Sequence, residues 1–186
     1  MQPILKDFPH EFETKRLFIR LPLPGDGSEI YDALQASRAE LKPWLPFAQN
    51  DQTKDETEAN VRQAHLHFLS REDLRFHIYD RNRRKFIGCT GLHRIDWDVP
   101  KFEIGYWIDT RYQGQGLMKE AVQGLIEFAY SEFHAHRIEI RCDEKNVRSR
   151  SIPERLDFAL EGILRNNSKA VDGEGLRSTC IYAKLG

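Results

Sequence analysis

From residue 109 to residue 116 the chain reads Asp109-Thr110-Arg111-Tyr112-Gln113-Gly114-Gln115-Gly116, a polar stretch with two glycines. It stands between a segment that alternates as a strand, residues 101–108, and the longest helical stripe, residues 117–133. On that stripe Met118, Ala121, Val122, Leu125, Ala129 and Phe133 share one face. A strand that feeds a helix through paired glycines must turn tightly, and it leaves the unpaired N–H groups and positive dipole end of the helix open to a ligand. Such a turn suits an anion such as a pyrophosphate. Glycine-rich turns before helices are also common as plain connections, so the pair alone leaves both readings open. Two other phosphate loops do not match, because G-x-x-x-x-G-K-[ST] is absent and Lys119 stands where the dinucleotide fingerprint needs a third glycine.

The remaining pattern is mixed. A first strand is expected over residues 14–20, where Leu17 and Ile19 alternate with Arg16, Phe18 and Arg20, and proline and glycine break it over residues 22–27. Ile30, Ala33 and Leu34 indicate one helix. Val61, Ala64, His65 and Phe68, after an acidic start at Asp55 and Glu56, indicate another. The prolines of residues 40–47 argue for a loop or short turn between them. Residues 76–79 and 85–92 are expected to pair around a turn at 80–84, and strands are also expected at 136–142, 158–164 and 177–184. Residues 149–156 form a short expected helix. Antiparallel strands followed by a strand-loop-helix-strand unit specify an α+β domain with a twisted mixed sheet flanked by helices. No linker divides residues 1–186, so one domain is expected.

Composition excludes several classes. With 40% hydrophobic and 31% charged residues and a net charge of -1, nothing general favours nucleic acid or membrane as a partner. Residues 1–10 lack the apolar core of a signal peptide and no run has the length of a membrane span, which reads as cytoplasmic. Cys89, Cys142 and Cys180 are odd in number and sit in apolar runs, as buried thiols do. His65 and His67 diverge on their helix, and His134 and His136 straddle a helix end; no metal is expected.

The glycine stretch resembles the signature of the GNAT superfamily of N-acetyltransferases, Q/R-x-x-G-x-G/A, with Arg111, Gly114 and Gly116 at its fixed positions. Glu13-Thr14-Lys15-Arg16-Leu17, the segment from Glu40 to Trp44, Ile104-Gly105-Tyr106-Trp107-Ile108, Gln113-Gly114-Gln115-Gly116 and Asn146-Val147-Arg148-Ser149 are similar to the branch that acetylates ribosomal-protein N-termini. Ordered matches along nearly the whole chain are more specific than one loop. The resemblance implies that the strands at 104–108 and 137–142 splay to form a slot for acetyl-CoA. It also implies that the backbone of Gln113, Gly114, Gln115 and Gly116 holds the pyrophosphate, that Trp107, Ile108 and Asp109 pair with the pantetheine arm, and that Asn146 and Ser149 lie near the thioester sulfur.

Two departures matter. Asp157 stands where the family usually has glycine, and Pro153 falls near a position that many members fill with an acidic tyrosine. A leaving-thiolate acid must then be sought elsewhere, with Ser149, Asn146 and Tyr182 as candidates.

Acetyl transfer needs a base or proton wire, donors for the developing oxyanion and a group to neutralise the thiolate. Glu103 is the candidate base, against the reading of a solvent-facing strand glutamate. Ser149 is the candidate proton relay, against the reading of a helix N-cap. A strand N–H near Ile108 is the expected oxyanion donor. Trp44, Phe47, Trp97 and Trp107 could wall an acceptor pocket or simply pack, with Trp44 and Trp107 taken as acceptor contacts. The expected acceptor is a primary amine such as a ribosomal-protein N-terminus. A weak CoA-binding module and an acetyltransferase of small amines are the alternatives, and oligomeric state, including a homo-oligomer, stays open. A nucleotide-dependent oxidoreductase fits less well, since its fingerprint fails and antiparallel strands precede the glycine loop.

Overall fold

A computed structural model describes residues 2–82 and 84–186, so Met1 and Arg83, the latter within the expected turn at 80–84, lie outside the described residues. In chain order the elements are β1 (Glu11–Glu13), β2 (Leu17–Arg20), α1 (Gly27–Leu41), α2 (Lys54–Ser70), β3 (Leu74–Asp80), β4 (Phe86–Asp96), β5 (Lys101–Ile108), α3 (Leu117–Phe133), β6 (Arg137–Asp143), α4 (Val147–Arg155), β7 (Ala159–Lys169) and β8 (Leu176–Leu185). The strands form one mixed sheet in the order β1-β2-β3-β4-β5-β6-β8-β7. Every neighbouring pair is antiparallel except β5 with β6. Only a parallel pair requires a long crossover, and α3 supplies it. The α+β architecture with helices on the sheet is the expected one.

Helices cover both faces. The apolar stripe of α3 packs with Leu17, Ile19, Leu74, Phe76 and Ile78 in the main core, while Ile30 and Ala33 of α1 and Val61 of α2 meet Tyr79, Phe86 and Cys89 in a second. Lying under both layers, β3 has buried residues on both of its faces. The helix α2 begins as its sequence suggests: Thr53 accepts from the Glu56 N–H and the Glu56 carboxylate accepts from the Thr53 N–H, a reciprocal cap.

Several boundaries differ from expectation. The single strand expected over residues 14–20 is a hairpin, because Thr14 turns the chain: its N–H donates to Leu17 O at 2.9 Å, and its hydroxyl accepts from the Leu17 N–H at 3.2 Å. A hydroxyl that competes for backbone partners makes a turn out of an otherwise strand-like run. The short helix starts at Val147 rather than 149, and β7 continues to Lys169 through a register shift between Leu164 and Ser168. All three cysteines are buried and free. Asp157 takes the left-handed conformation at φ +58°, one that Asp accepts better than most residues though less readily than glycine. No helix among the described residues is long and apolar enough to cross a membrane.

A buried polar knot joins α1 to β2 and β3. The Arg20 guanidinium donates to both Asp26 oxygens at 2.7 and 2.8 Å and to Tyr79 Oη at 2.8 Å, and fully buried His77 places Nδ1 2.8 Å from Asp26 Oδ2. Burial alone would raise Asp26, yet hydrogen bonds from Arg20, His77 and the Leu23 N–H hold it well below the usual carboxylate range. His77 is lowered by desolvation, which outweighs the attraction of Asp26. Its Nε2 has no hydrogen-bond partner and the ring stands edge-on to Phe86, so a second proton there would be unsolvated. Both shifts give the same sign. The unfolded state takes up protons that the folded state refuses, so stability falls with pH, first below about 6.5 through His77 and then below about 3.9 through Asp26. Urea titrations should show the midpoint dropping between neutral and mildly acidic pH, and His77→Gln should flatten that drop; an unchanged slope would remove His77 from the acid response.

Candidate active site

β5 and β6 part after three residue pairs, Lys101 with Arg137, Phe102 with Ile138 and Glu103 with Glu139. Beyond them each strand keeps its outer neighbour: residues 104–108 stay on β4, and residues 140–143 stay on β8. The inner edge of β5 over residues 104–108 therefore meets no strand. A cleft of about 890 Å³ opens there, lined from Ile104 to Ile108 on one side and from Ile140 to Asp143 on the other. An unpaired strand edge inside a cleft suits a ligand that carries its own amides.

At one end of the cleft lies the glycine loop. Gly114 and Gly116 take φ of +75° and +73°, where a Cβ is unfavourable, and no atom lies within 4 Å of the place a Gly114 Cβ would occupy. Gly116 is the N-cap of α3 and no side chain caps it, which leaves the first-turn N–H groups available. The loop is pinned from outside by β1 and β2. Arg16 donates from Nη1 to Gln115 O at 3.0 Å and from Nε to Glu120 Oε2 at 2.6 Å, while Glu120 Oε1 accepts from the Thr14 hydroxyl and the Arg16 N–H. Burial would raise the Glu120 carboxyl, but these donors hold it below its ordinary value.

Asp109 is fully buried and accepts from the Arg111 N–H at 2.9 Å. The Arg111 guanidinium folds back onto the same carboxylate, and Ser37 of α1 accepts from the Thr110 N–H at 2.8 Å. Asp109, Arg111 and Gln115 thus brace the loop from outside the cleft lining, whereas Gln113, Gly114 and Gly116 line it.

At the other end α4 meets β5. Asn146 Oδ1 accepts from the Ser149 N–H at 3.1 Å, so Asn146 is the helix cap, and the reading of Ser149 as a cap does not hold. The physical reason is position: with the helix beginning at Val147, Ser149 lies in its first turn, where its N–H needs a cap rather than supplying one. The Ser149 hydroxyl donates to Tyr106 Oη at 3.3 Å, and Tyr106 in turn donates to Ser149 O at 2.8 Å. Burial raises the Tyr106 phenol, with the hydrogen bond from Ser149 opposing weakly. Cys142 lines the cleft beside them as a neutral thiol, pushed up to about 12 by burial. Tyr182 is engaged elsewhere, donating to Glu154 at 2.7 Å and accepting from Arg150 at 3.0 Å, and it does not line the cleft.

Side chains alternate along β5, so Glu103 and Trp107 share one face and Tyr106 lies on the other. The cleft passes between those faces. Glu103 is 19% exposed, with Arg94 and Arg141 nitrogens 3.4 and 3.5 Å from Oε2, and that oxygen has no hydrogen-bond partner. The reading of Glu103 as a solvent-facing strand residue is therefore replaced by that of a largely enclosed cleft residue. Trp44 and Trp107 line the cleft as well; Phe47 only touches Trp107, at 6.3 Å between rings, and Trp97 packs on Phe102 and Phe133 in the core. Tyr106 and Arg141 are cleft residues that the sequence does not single out. Strand alternation continued through the splayed segment would have found Tyr106, but the pairing of Arg141 with Glu103 depends on how β6 approaches β5. Among the described residues no group of three or more His, Cys, Asp or Glu side chains could hold a metal.

Residues 16–159 match the family model described as the acetyltransferase (GNAT) domain. The putative ribosomal N-acetyltransferase YdaF of Bacillus subtilis is 29% identical over 181 residues, 92% of this chain and 92% of that protein. The ribosomal-protein-serine acetyltransferase of Escherichia coli is 29% identical over 137 residues, 73% of this chain and 75% of the other. Among solved structures, RimL, a ribosomal alpha-N-protein acetyltransferase in complex with coenzyme A, superposes with a TM-score of 0.85 at 23% identity, covering 92% of this chain and 95% of that one.

The Arg16 tether yields a local test. Arg16→Ala removes a charge-assisted hydrogen bond from Gln115 O, so amide exchange over residues 113–117 should accelerate about tenfold while the distal half of α3 stays protected. Hydrogen exchange read by mass spectrometry decides it, and unchanged exchange in the loop would mean that Arg16 does not hold its shape.

Proposed function

Given that this chain belongs to the GNAT family and is an acetyl-CoA-dependent N-acetyltransferase, we propose that its acceptor is the N-terminal amine of a protein, with ribosomal proteins as the acceptor class. The observation that carries this reading is the open acceptor end of the cleft. There Glu40 and Leu41 at the end of α1, and Trp44 just beyond it, line the cleft together with Asn167, Ser168, Arg177 and Thr179 from the β7–β8 hairpin. An extended chain terminus can run between two such walls and bring its amine to Glu103. The naming of two relatives for ribosomal acceptors supports the same class. That role places the enzyme in the cytoplasm and requires no nucleic-acid contact of its own.

The residues fit the donor. Main-chain N–H groups of Gln113, Gly114 and Gly116 hold its diphosphate, with Gln115 bracing the loop from outside, and the free β5 edge at Trp107 and Ile108 pairs with the amides of its arm. Asp109 and Arg111 act by shaping the loop. Acetyl-CoA supplies an acyl group activated by a thiolate leaving group. Glu103 takes the proton from the acceptor ammonium, through a water that satisfies its unpartnered Oε2, so that the neutral nitrogen forms the new C–N bond. A main-chain N–H near Ile108 stabilises the charge that develops on the carbonyl oxygen. As the C–S bond breaks, the second proton of the attacking nitrogen is relayed through the Ser149 hydroxyl to the sulfur, so that the serine ends neutral, with Asn146 fixing the helix turn that carries it and Tyr106 orienting it. The Tyr106 phenol supplies order rather than the proton, since its own hydrogen is committed to Ser149 O. Trp44 and Trp107 wall the acceptor.

Incubation of the enzyme with labelled acetyl-CoA and unacetylated ribosomal proteins should place label on N-terminal peptides. Label on lysine side chains or free small amines alone would overturn the acceptor class. Glu103→Gln should keep donor affinity and lose about a hundredfold in turnover, with the deficit shrinking at high pH where more acceptor is already neutral. Ser149→Ala should slow turnover at an unchanged denaturant midpoint, whereas Asn146→Ala should cost about 1 kcal/mol of stability. A Ser149→Ala variant with full turnover would leave the thiolate to water.

A further inference from the structure

Glu103 and the β7–β8 hairpin stand on one face of the sheet. Glu103 pairs with Glu139 of β6, and Glu139 pairs with Ala183 of β8, so these three side chains share a face. Alternation along β8 carries that face from Ala183 through Thr179 to Arg177, and Glu103, Thr179 and Arg177 all line the cleft. Arg177 lies six residues before Ala183, which is about 20 Å of strand at about 3.3 Å per residue. An acceptor chain extended along this face, with its amine at Glu103, therefore passes Arg177. The reach of the Arg177 side chain and of the acceptor's own side chain shortens the span to about three to five acceptor residues.

The hairpin has already used its own acceptor groups. Arg177 Nε donates to Ser168 Oγ at 2.9 Å, and Thr179 Oγ donates to Asn167 Oδ1 at 2.9 Å. These bonds hold both side chains in place, and among the described residues they leave the two terminal guanidinium nitrogens of Arg177 and the amide nitrogen of Asn167 without partners. All three nitrogens only donate, and a carboxylate only accepts. Arg177 also has no carboxylate partner among the described residues. Asp143, in register with Thr179, accepts from the Lys145 N–H at 2.8 Å and makes no ion pair with Arg177, and Glu40 lines the cleft from the end of α1. Glu40 and Glu103 suit the ammonium of an acceptor, and Arg177 suits a negative charge farther along the same chain. A neutral amide or hydroxyl there would forgo the charge-assisted part of the contact, which about doubles the strength of such bonds.

We propose that Arg177, held by Ser168 and flanked by Asn167, selects acceptor chains that carry an Asp or Glu side chain at the third to fifth residue. This inference rests on the reading of the acceptor as a protein N-terminus. Peptides with amidated C-termini, identical except for Glu, Gln or Lys at each of those positions, test it with the full chain at saturating acetyl-CoA, and thermal midpoints establish that each variant is folded. At one of the positions the wild type should favour Glu over Gln by about tenfold in kcat/KM. Within Arg177→Ala the ratio of the two should fall close to one, Arg177→Lys should keep part of it, and Arg177→Glu should favour the Lys peptide. Equal use of Glu and Gln peptides by the wild type would overturn the proposal, as would a ratio that survives in Arg177→Ala. A wild-type preference for Lys would also overturn it, assigning selection to Glu40. Failure of the acceptor reading itself would look different, because no peptide of any charge would then be acetylated at its N-terminal amine.

Discussion

The parting of β5 from β6 is the constraint on which the site depends. Two parallel strands joined by a crossover helix would ordinarily pair along their length, but here each has a second neighbour that keeps it in the sheet once the shared register ends at Glu103 and Glu139. The separation costs the pairing of residues 104–108 on one edge and leaves main-chain groups facing a cleft rather than a strand. It also makes the sheet porous at one place. A ligand lying there reaches the α4 side, where Tyr106 and Ser149 stand, and the opposite side, where Glu103 and Trp107 stand.

Around that opening the protein spends few side chains on direct contact and many on support. Arg16, Glu120 and Thr14 hold the outside of the glycine loop, Asp109 and Arg111 brace its approach, and Ser37 ties it to α1. On α4, Asn146 caps the turn that presents Ser149, and Tyr106 orders its hydroxyl. No tyrosine stands at Pro153, and the phenol that β5 brings to Ser149 orders the serine rather than replacing that acid. Preorganisation of this kind keeps the reacting groups in place without reorganisation during reaction.

Local signals were legible where one element supplies the whole message. The stripe from Met118 to Phe133 defines α3 with its observed ends, because a 3.6-residue period and a glycine start need no distant partner. The cap of α4 is ambiguous in the sequence, since Asn146 and Ser149 are both good caps and only the actual first turn distinguishes them. Alternation continues through Thr14 as it would in a strand, while its hydroxyl makes the turn. Trp97 and Trp107 look alike in sequence. Their fates differ because one strand end packs under α3 and the other opens at the cleft.

By itself the sequence determined the mixed α+β plan, the glycine turn before α3 and the set of residues from which the site is drawn, for these follow from periodicity, from the φ demands of Gly114 and Gly116 and from short linear matches. Only the tertiary structure decided which candidates face the cleft, that Glu103 is enclosed between Arg94 and Arg141, and that Tyr106 rather than Tyr182 meets Ser149. The physical reason is that these relations join residues tens of positions apart. They are set by where β6 and α4 come to lie against β5, and no local pattern along the chain records that distance.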